Sequence, residues 1–168
     1  MALQIVLLDA KKHQRDRFNC GVESLDRYLI KYANQDLKRK AATVFVLLDS
    51  PNNFVIAYYT LSAFTLEVSE LEPKIAKKLP RYPLLPATML GRLAVDRNYR
   101  GQKLGKLILV DALKRAYMAT QQIASTAVVV EAIDKNAVNF YKKYGFISFK
   151  SNPNRLYLAM HTISKVFL

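Results

Sequence analysis

The apolar residues of this chain recur with two different spacings, which predict an alternation of helices and strands. Leu25, Leu29 and Tyr32 follow a helical spacing opposite a charged face, so we expect a helix over Glu23–Lys40. The segment Ser125–Ala132 is a near-continuous apolar run, as is typical of a strand covered on both faces. The two spacings together indicate an α/β chain.

The same reasoning predicts the elements of the rest of the chain. We expect strands over Gln4–Leu8, Ala42–Leu48, Phe54–Val68, Ala87–Val95, Phe146–Phe149 and Arg155–Ile163. We expect helices over Glu70–Leu79, after a capping box at Ser69–Glu72, over Leu104–Thr120, and over Asp134–Tyr144 with Asp134 as its cap. We therefore predict one domain, residues 1–168, with an α/β (α+β) fold and a mixed, mainly antiparallel sheet.

One connection between strand and helix has the composition of a phosphate-binding loop. It reads Arg100-Gly101-Gln102-Lys103-Leu104-Gly105 and leads into a helix, whose first N–H groups are unpaired and lie at the positive end of its dipole. The P-loop pattern and the dinucleotide-binding G-x-G-x-x-G pattern both fail on glycine spacing. On these residues alone, two interpretations stay open: a phosphate-binding loop and an ordinary turn between a strand and a helix.

The loop resembles the R/Q-x-x-G-x-G/A segment by which GNAT acetyltransferases bind the pyrophosphate of acetyl-CoA. Lys103 replaces the middle glycine, and we expect that a lysine does not easily take the positive φ of that position. A second segment, Ala137–Phe146 (AVNFYKKYGF), resembles the A-x-x-F-Y-x-x-x-G-F motif that follows the fifth strand of these enzymes. Two motifs in the right order and spacing identify the chain as a member of the GNAT superfamily.

Other segments resemble one branch of that superfamily, the acetyltransferase toxins of type II toxin–antitoxin modules. They are FNCG at Phe18–Gly21, SLDRYL at Ser24–Leu29, TVFV at Thr43–Val46, AYYTLS at Ala57–Ser62, LPRYP at Leu79–Pro83 and LGRLAVD at Leu90–Asp96. The resemblance implies acetylation of the α-amino group of aminoacyl-tRNA, a ribbon-helix-helix antitoxin as partner and a homodimer. Alternatives are a GNAT enzyme that acts on a small amine or a protein amine, and a non-enzymatic basic module that binds nucleic acid.

The resemblance also implies the cofactor site. In a GNAT fold strands 4 and 5 splay apart, and the exposed backbone binds the pantetheine arm as an added strand would. The expected acetyl-CoA-binding residues are Leu93, Ala94, Val95, Arg100, Gly101, Gln102, Lys103, Leu104, Gly105 and Lys106. No metal is expected.

Tyr141 is the candidate catalytic residue, because the matching tyrosine of the family protonates the departing CoA thiolate. Tyr144 is the local rival, and a core tyrosine is the alternative for either residue. Glu131 could lie near the acetyl group, but a general base is not required for an α-amine, whose pKa is about 7.7–8.0. We expect His13 and His161 to be structural or surface residues.

The charge favours a polyanionic partner. Lys and Arg number 26 against 13 Asp and Glu, a formal net charge of +13. The basic residues cluster along the sequence, and two of these clusters contain candidate tRNA-binding residues: Lys38, Arg39 and Lys40 in one, and Lys77, Lys78 and Arg81 in the other. A further candidate, Arg92, lies in the expected strand Ala87–Val95. For Arg92, a structural salt bridge and a place near the acceptor cleft remain equal alternatives.

Two further features bear on location. The chain has no apolar run of membrane-spanning length, and the charges near its N-terminus follow the apolar stretch instead of preceding it. We therefore expect a cytoplasmic protein without a membrane partner. The one cysteine, Cys20, is expected to be a small buried hydrophobe.

Overall fold

The computed structural model describes residues 2–167, and the strands in this range form a mixed sheet. The strands are β1 (Ala2–Leu7), β2 (Thr43–Ser50), β3 (Val55–Glu67), β4 (Leu84–Val95), β5 (Ala127–Glu131), β6 (Ile147–Ser148) and β7 (Arg155–Ala159). Among the described residues the sheet has seven strands in the order β1-β2-β3-β4-β5-β7-β6. Strand β5 runs parallel to β4, whereas β1 with β2, β2 with β3, β5 with β7 and β6 with β7 are antiparallel. The predicted mixed, mainly antiparallel sheet is confirmed.

The helices complete an α+β fold. They are α1 (Glu23–Arg27), α2 (Ala33–Lys38), α3 (Pro73–Ala76), α4 (Leu104–Ala119), α5 (Lys135–Lys143) and α6 (Met160–Phe167). A π-helical turn at Tyr28–Tyr32 joins α1 to α2, so the helix predicted over Glu23–Lys40 is present with one wide turn inside it. No helix within residues 2–167 is both long and apolar enough to span a membrane.

Two sequence predictions were wrong. The capping box at Ser69–Glu72 does not start a helix: Val68–Glu70 is a 3₁₀ turn, Leu71 is extended and buried, and α3 covers only Pro73–Ala76. Burial of Leu71 overrides the local capping signal, and Pro73 suits the first position of a helix because it lacks an N–H.

The second error lies at the end of the chain, where β7 was predicted to continue to Ile163. Strand β7 stops at Ala159, and α6 begins at Met160. Met160 and Ile163, three residues apart and both buried, lie on one face of a helix, which is the spacing that helical burial requires.

Contacts between Cα atoms divide the chain into two compact units. The first unit contains residues 2–62 and Arg92–Ala112. Tyr58 lies in its core, fully buried, with its ring edge-on to Phe18 at 5.6 Å and its hydroxyl donating to the Leu25 carbonyl at 2.7 Å. Cys20 is buried in the same cluster, as predicted, and burial raises the pKa of its thiol to about 11.

The second unit contains Ala63–Gly91 and residues 113–167. Its core combines Leu66, Val129, Phe149 and Tyr157, with the last two rings edge-on at 5.7 Å. The assignment of one domain to residues 1–168 stays a prediction.

The N-cap of α5 provides a direct test of the fold. Asp134 Oδ1 accepts a hydrogen bond from the backbone N–H of Ala137 at 2.8 Å, as the sequence predicted for a cap. We expect Asp134→Ala to lower the free energy of unfolding by about 1 kcal/mol, and Asp134→Asn to preserve most of it. Urea denaturation measures both, and equal midpoints for the alanine variant and the wild type would contradict the role of the cap.

Candidate active site

The predicted phosphate loop lies in the first unit, between a short 3₁₀ turn and α4. The 3₁₀ turn covers Arg97–Tyr99 and is capped by Asp96, whose Oδ1 accepts from the Asn98 N–H at 2.9 Å. Helix α4 begins at Leu104, which is buried and fixes the end of the loop in the core. The loop is therefore held at both ends by short-range interactions.

Backbone conformation inside the loop differs from one expectation. Gly101 has φ of +80°, and Lys103 has φ of +59°, in the left-handed region that we expected a lysine to avoid. Lys103, which stands where the family motif has its middle glycine, therefore adopts the left-handed backbone conformation that a glycine would take there. Since left-handed backbone is accessible to a lysine at a modest cost, of the order of 1–2 kcal/mol, the substitution changes the charge of the loop more than its course.

The N–H groups of the loop form its chemical feature. Within the described chain, the consecutive backbone N–H groups from Gly101 to Lys106 make no hydrogen bond, and the ladder of α4 starts at the bond from Leu107 N to the Lys103 carbonyl. Exposed Lys103 and Lys106 add two cations to the same segment. Such an array of donors at a helix N-terminus is suited to a phosphate or pyrophosphate group.

Arg100 has a different position from the other loop cations. Its Nη2 donates to the Cys20 carbonyl at 2.6 Å, and a Cβ on Gly21 would lie 3.1 Å from the same nitrogen. Gly21 itself has φ of +90°. The Arg100 side chain therefore fixes the segment 19–21 beside the loop, which gives the FNCG segment of the sequence a structural reason.

Two residues that sequence reasoning missed complete this attachment. Asn19 donates its backbone N–H to Asp96 Oδ2 at 3.1 Å, and its carbonyl accepts from Arg97 N at 2.9 Å. Asp96 is 6% exposed and accepts from both Asn19 and Asn98, so its buried carboxylate is hydrogen-bonded on both oxygens. An Asp directly after a strand and before a turn is a signal for such capping, and the sequence contains it.

Strand β4 carries the predicted pantetheine-binding residues. Its pairing with β5 runs from Thr88–Val128 to Leu90–Val130, and β4 then continues to Val95. Ala94 is buried in the core of the first unit, while Leu93 and Val95 are half-buried. The three residues thus lie on β4 beyond its recorded register with β5.

Tyr141 lies on α5 in the second unit. The residue is 7% exposed, and its ring packs edge-on against those of Phe140 and Phe146, each at 5.3 Å between centroids. Within residues 2–167 its hydroxyl makes no hydrogen bond, and burial raises the pKa of Tyr141 above its ordinary value. The residue is therefore a neutral phenol throughout the physiological range, with a proton to donate.

The other residues considered for a catalytic role lie in environments that differ from that of Tyr141. Tyr144 is half-buried at the C-terminal end of α5, its ring edge-on to Phe140. Glu131 pairs with Arg155, whose Nε donates to Glu131 Oε1 at 3.0 Å. His13 Nδ1 accepts from the Asp9 N–H at 2.9 Å, and burial lowers the pKa of His13, which confirms a structural role for this histidine.

Arg92 makes a ring contact instead of a salt bridge. Its guanidinium carbon lies 3.5 Å from the centroid of the Tyr28 ring, and no carboxylate of the described residues is within ion-pair distance. The Tyr28 hydroxyl donates in turn to Asp36 Oδ2 at 2.7 Å. The salt-bridge alternative is therefore wrong, and cation–π contact with Tyr28 orients the side chain of Arg92.

The basic clusters are exposed. Lys38 ends α2, with Arg39 and Lys40 directly after it in the first unit, and Lys40 has φ of +63°. Lys77, Lys78 and Arg81 follow α3 in the second unit. Charged side chains in these places are available to a partner.

The matches to known proteins agree with this geometry. The profile of the acetyltransferase (GNAT) domain matches residues 85–166, from β4 to α6. A tRNA-acetylating toxin of Mycobacterium tuberculosis is 30% identical over 143 residues, which cover 85% of this chain and 84% of that protein. The chain belongs to the GNAT acetyltransferases.

Two solved structures resemble the chain over its whole length. The toxin AtaT in complex with acetyl-methionyl-tRNAfMet is 30% identical with a TM-score of 0.90, over 99% of each chain. A tyrosine-to-phenylalanine mutant of AtaT, bound to the C-terminus of the antitoxin AtaR and to acetyl-CoA, is 26% identical with a TM-score of 0.85, again over 99% of each chain. Within its family the chain is thus similar to the toxins that acetylate tRNA.

The free N–H groups of the loop predict how it responds to an added carboxylate. We expect Gly105→Glu to abolish acetyl-CoA binding, because the carboxylate competes for the N–H groups that a phosphate would use. The variant should remain folded, since an acidic residue in a first helical turn favours the dipole. Calorimetry with acetyl-CoA tests this, with the exposed Gln121→Glu as a control of equal charge, and undiminished binding by Gly105→Glu would remove the loop from the site.

Proposed function

We propose that the protein transfers the acetyl group of acetyl-CoA to the α-amino group of aminoacyl-tRNA, and that it acts in the cytoplasm as a toxin that blocks translation. The observation that carries the proposal is the run of free N–H groups from Gly101 to Lys106, beside two exposed lysines. Similarity to the tRNA-acetylating toxin of M. tuberculosis and to tRNA-bound AtaT supports the choice of acceptor.

The chain would hold acetyl-CoA by two backbone features. The N–H groups from Gly101 to Lys106 bind the pyrophosphate, with Lys103 and Lys106 adding charge. The backbone of β4 at Leu93, Ala94 and Val95 pairs with the amide groups of the pantetheine arm, as an added strand does. Arg100 contributes by fixing the segment 19–21, because its guanidinium is already bonded to the Cys20 carbonyl.

The reaction needs one proton donor. The neutral α-amine attacks the thioester carbonyl carbon, a C–N bond forms, and the C–S bond breaks. Tyr141 gives its proton to the departing thiolate, and the proton lost by the amine restores the phenol. Burial keeps Tyr141 protonated, and a general base is unnecessary because an α-amine with a pKa of about 7.7–8.0 is substantially neutral at pH 7.

A companion antitoxin would restrain the enzyme. The net charge of +13 favours a partner segment that is acidic or amphipathic, and the similar AtaT structure contains the C-terminus of its antitoxin. A ribbon-helix-helix protein is the kind of antitoxin that we expect, and a homodimer is the expected assembly of the toxin.

Loss of the phenol is expected to remove most of the activity. Tyr141→Phe should fold normally, since its ring contacts are apolar, and should reduce acetyl transfer about 10²–10⁴-fold. The assay combines radiolabelled acetyl-CoA with charged total tRNA and identifies the acetylated amino acid. Tyr144→Phe is the matched control; a fully active Tyr141→Phe beside an inactive Tyr144→Phe would show that the wrong tyrosine was assigned.

Salt dependence separates tRNA from a small amine. An acceptor held by several phosphate contacts loses affinity steeply as salt rises, because each contact releases counterions. We expect KM for charged tRNA to rise with salt, and the slope to decrease in Lys77→Glu/Lys78→Glu and in Arg81→Glu. Lys150→Glu/Lys165→Glu, with the same charge change as the first variant, is the control.

The opposite outcome would favour the second candidate function. If KM stays flat across the salt range and the cluster variants match the wild type, an acetyltransferase of a small amine or a protein amine is the better account.

A further inference from the structure

Two adjoining depressions lie on the surface of the first unit, and hydrogen-bond donors border almost all of the first one. One depression of about 390 Å³ is bordered by Arg15, Ile30, Lys31, Asn34, Gln35, Lys38 and Arg39. A second, of about 430 Å³, shares Asn34 and Lys38 with it and is bordered also by Leu7, Leu8, Asp9, Ala10 and Lys11. The two depressions therefore adjoin along the same side of α2, and we call them together the α2 groove.

The charges of the α2 groove are of one sign with a single exception. Its first depression has four cationic side chains and two amides but no carboxylate. The exception is Asp9 in the second depression, whose Oδ1 already accepts from the Lys11 N–H at 3.0 Å. A surface with this lining attracts anions that accept several hydrogen bonds.

The π-helical turn orients one of these cations. The Ala33 N–H bonds to the Tyr28 carbonyl, one residue earlier than in an α-helix, so the Leu29 carbonyl loses its α-helical donor. Arg15 Nη1 donates to that carbonyl at 3.0 Å. The guanidinium is thereby fixed by a neutral partner, which leaves its charge uncompensated at the groove.

We propose that the α2 groove binds the phosphodiester backbone of RNA, with Arg15, Lys31, Lys38 and Arg39 as the phosphate contacts. This extends the basic cluster at residues 38–40 by Arg15, which is distant in sequence, and by Lys31 of the π-helical turn. It rests on the proposed function for the identity of the RNA, which is the tRNA that carries the acceptor. Arg15 is a positioned contact, whereas the lysines are mobile point charges.

The composition of the first depression, which holds all four proposed phosphate contacts, favours RNA over an acidic protein. Protein interfaces have an apolar core with aromatic anchors, whereas nucleic-acid interfaces are polar, strongly positive and wet. Ile30 is the one apolar side chain of the first depression. Two adjoining depressions also suit consecutive phosphates of a chain better than a single carboxylate.

Direct binding of RNA tests the proposal without reference to catalysis. Fluorescence anisotropy with labelled, deacylated total tRNA is measured over a range of salt concentrations for the wild type, Lys31→Glu/Arg39→Glu and the control Lys150→Glu/Lys165→Glu. The groove variant should bind at least tenfold more weakly, with the slope of log K against log salt reduced by about two, one for each lost phosphate contact. Equal effects of the two variants would overturn the proposal, since net charge alone would then explain the binding.

A second variant examines the oriented guanidinium. Arg15→Lys keeps the charge but lacks the planar fork that reaches the Leu29 carbonyl and a phosphate together, so we expect affinity for tRNA to fall several-fold in a variant that circular dichroism shows to be folded. Binding equal to the wild type would exclude Arg15 from the contact.

Other outcomes separate this inference from the proposed function. If the groove variant binds tRNA normally but loses affinity for a glutamate-rich peptide, the groove belongs to an acidic protein and the proposal is wrong. If the wild type binds tRNA through the groove but transfers no acetyl group to charged tRNA, the proposed reaction is wrong, whereas the proposal that the α2 groove binds RNA is upheld.

Discussion

The buried carboxylate of Asp96 is the constraint on which the candidate cofactor loop depends. It lies at the end of β4, caps the turn that follows, and bonds to the backbone of Asn19 far away in sequence. A buried carboxylate is costly unless both oxygens are hydrogen-bonded, so the backbone of two distant segments must meet there. Arg100 adds a second link to the carbonyl of Cys20. The loop owes its N-terminal geometry to this pair of links, and its free N–H groups to the start of α4.

The π-helical turn at Tyr28–Tyr32 is a comparable constraint in the same unit. It places the Tyr28 ring under the guanidinium of Arg92 and leaves the Leu29 carbonyl to Arg15. Two arginines are thus oriented by one irregularity of a helix, neither of them by a carboxylate. Cations fixed in this way keep their full attraction for an external anion, because a neutral partner does not reduce their charge.

Much of the fold was predictable because its signals are periodic or local. The bounds of α4 and α5, each to within one residue, the cap at Asp134 and the mixed, mainly antiparallel sheet agree with expectation. The parallel pairing of β4 with β5 is a finding of the structure. The helix expected from the capping box failed because burial of Leu71 is decided by the tertiary core, which local patterns do not record. In the candidate site, the sequence also did not predict that the side chains of Arg100 and Glu131 are already engaged in hydrogen bonds within the protein. Their partners, Cys20 and Arg155, are distant in sequence.

Lys103 shows how a loop can acquire a charge at little cost in stability. A lysine with φ of +59° is strained by about 1–2 kcal/mol. A glycine at the same place would avoid the strain, but its unfolded chain has more conformations to lose on folding, a difference of roughly 0.5–1 kcal/mol. The second effect offsets about half of the first. An exchange of glycine for lysine at such a position therefore costs about 0.5–1 kcal/mol. At that cost the electrostatic strength of a phosphate loop can vary while its backbone geometry is kept.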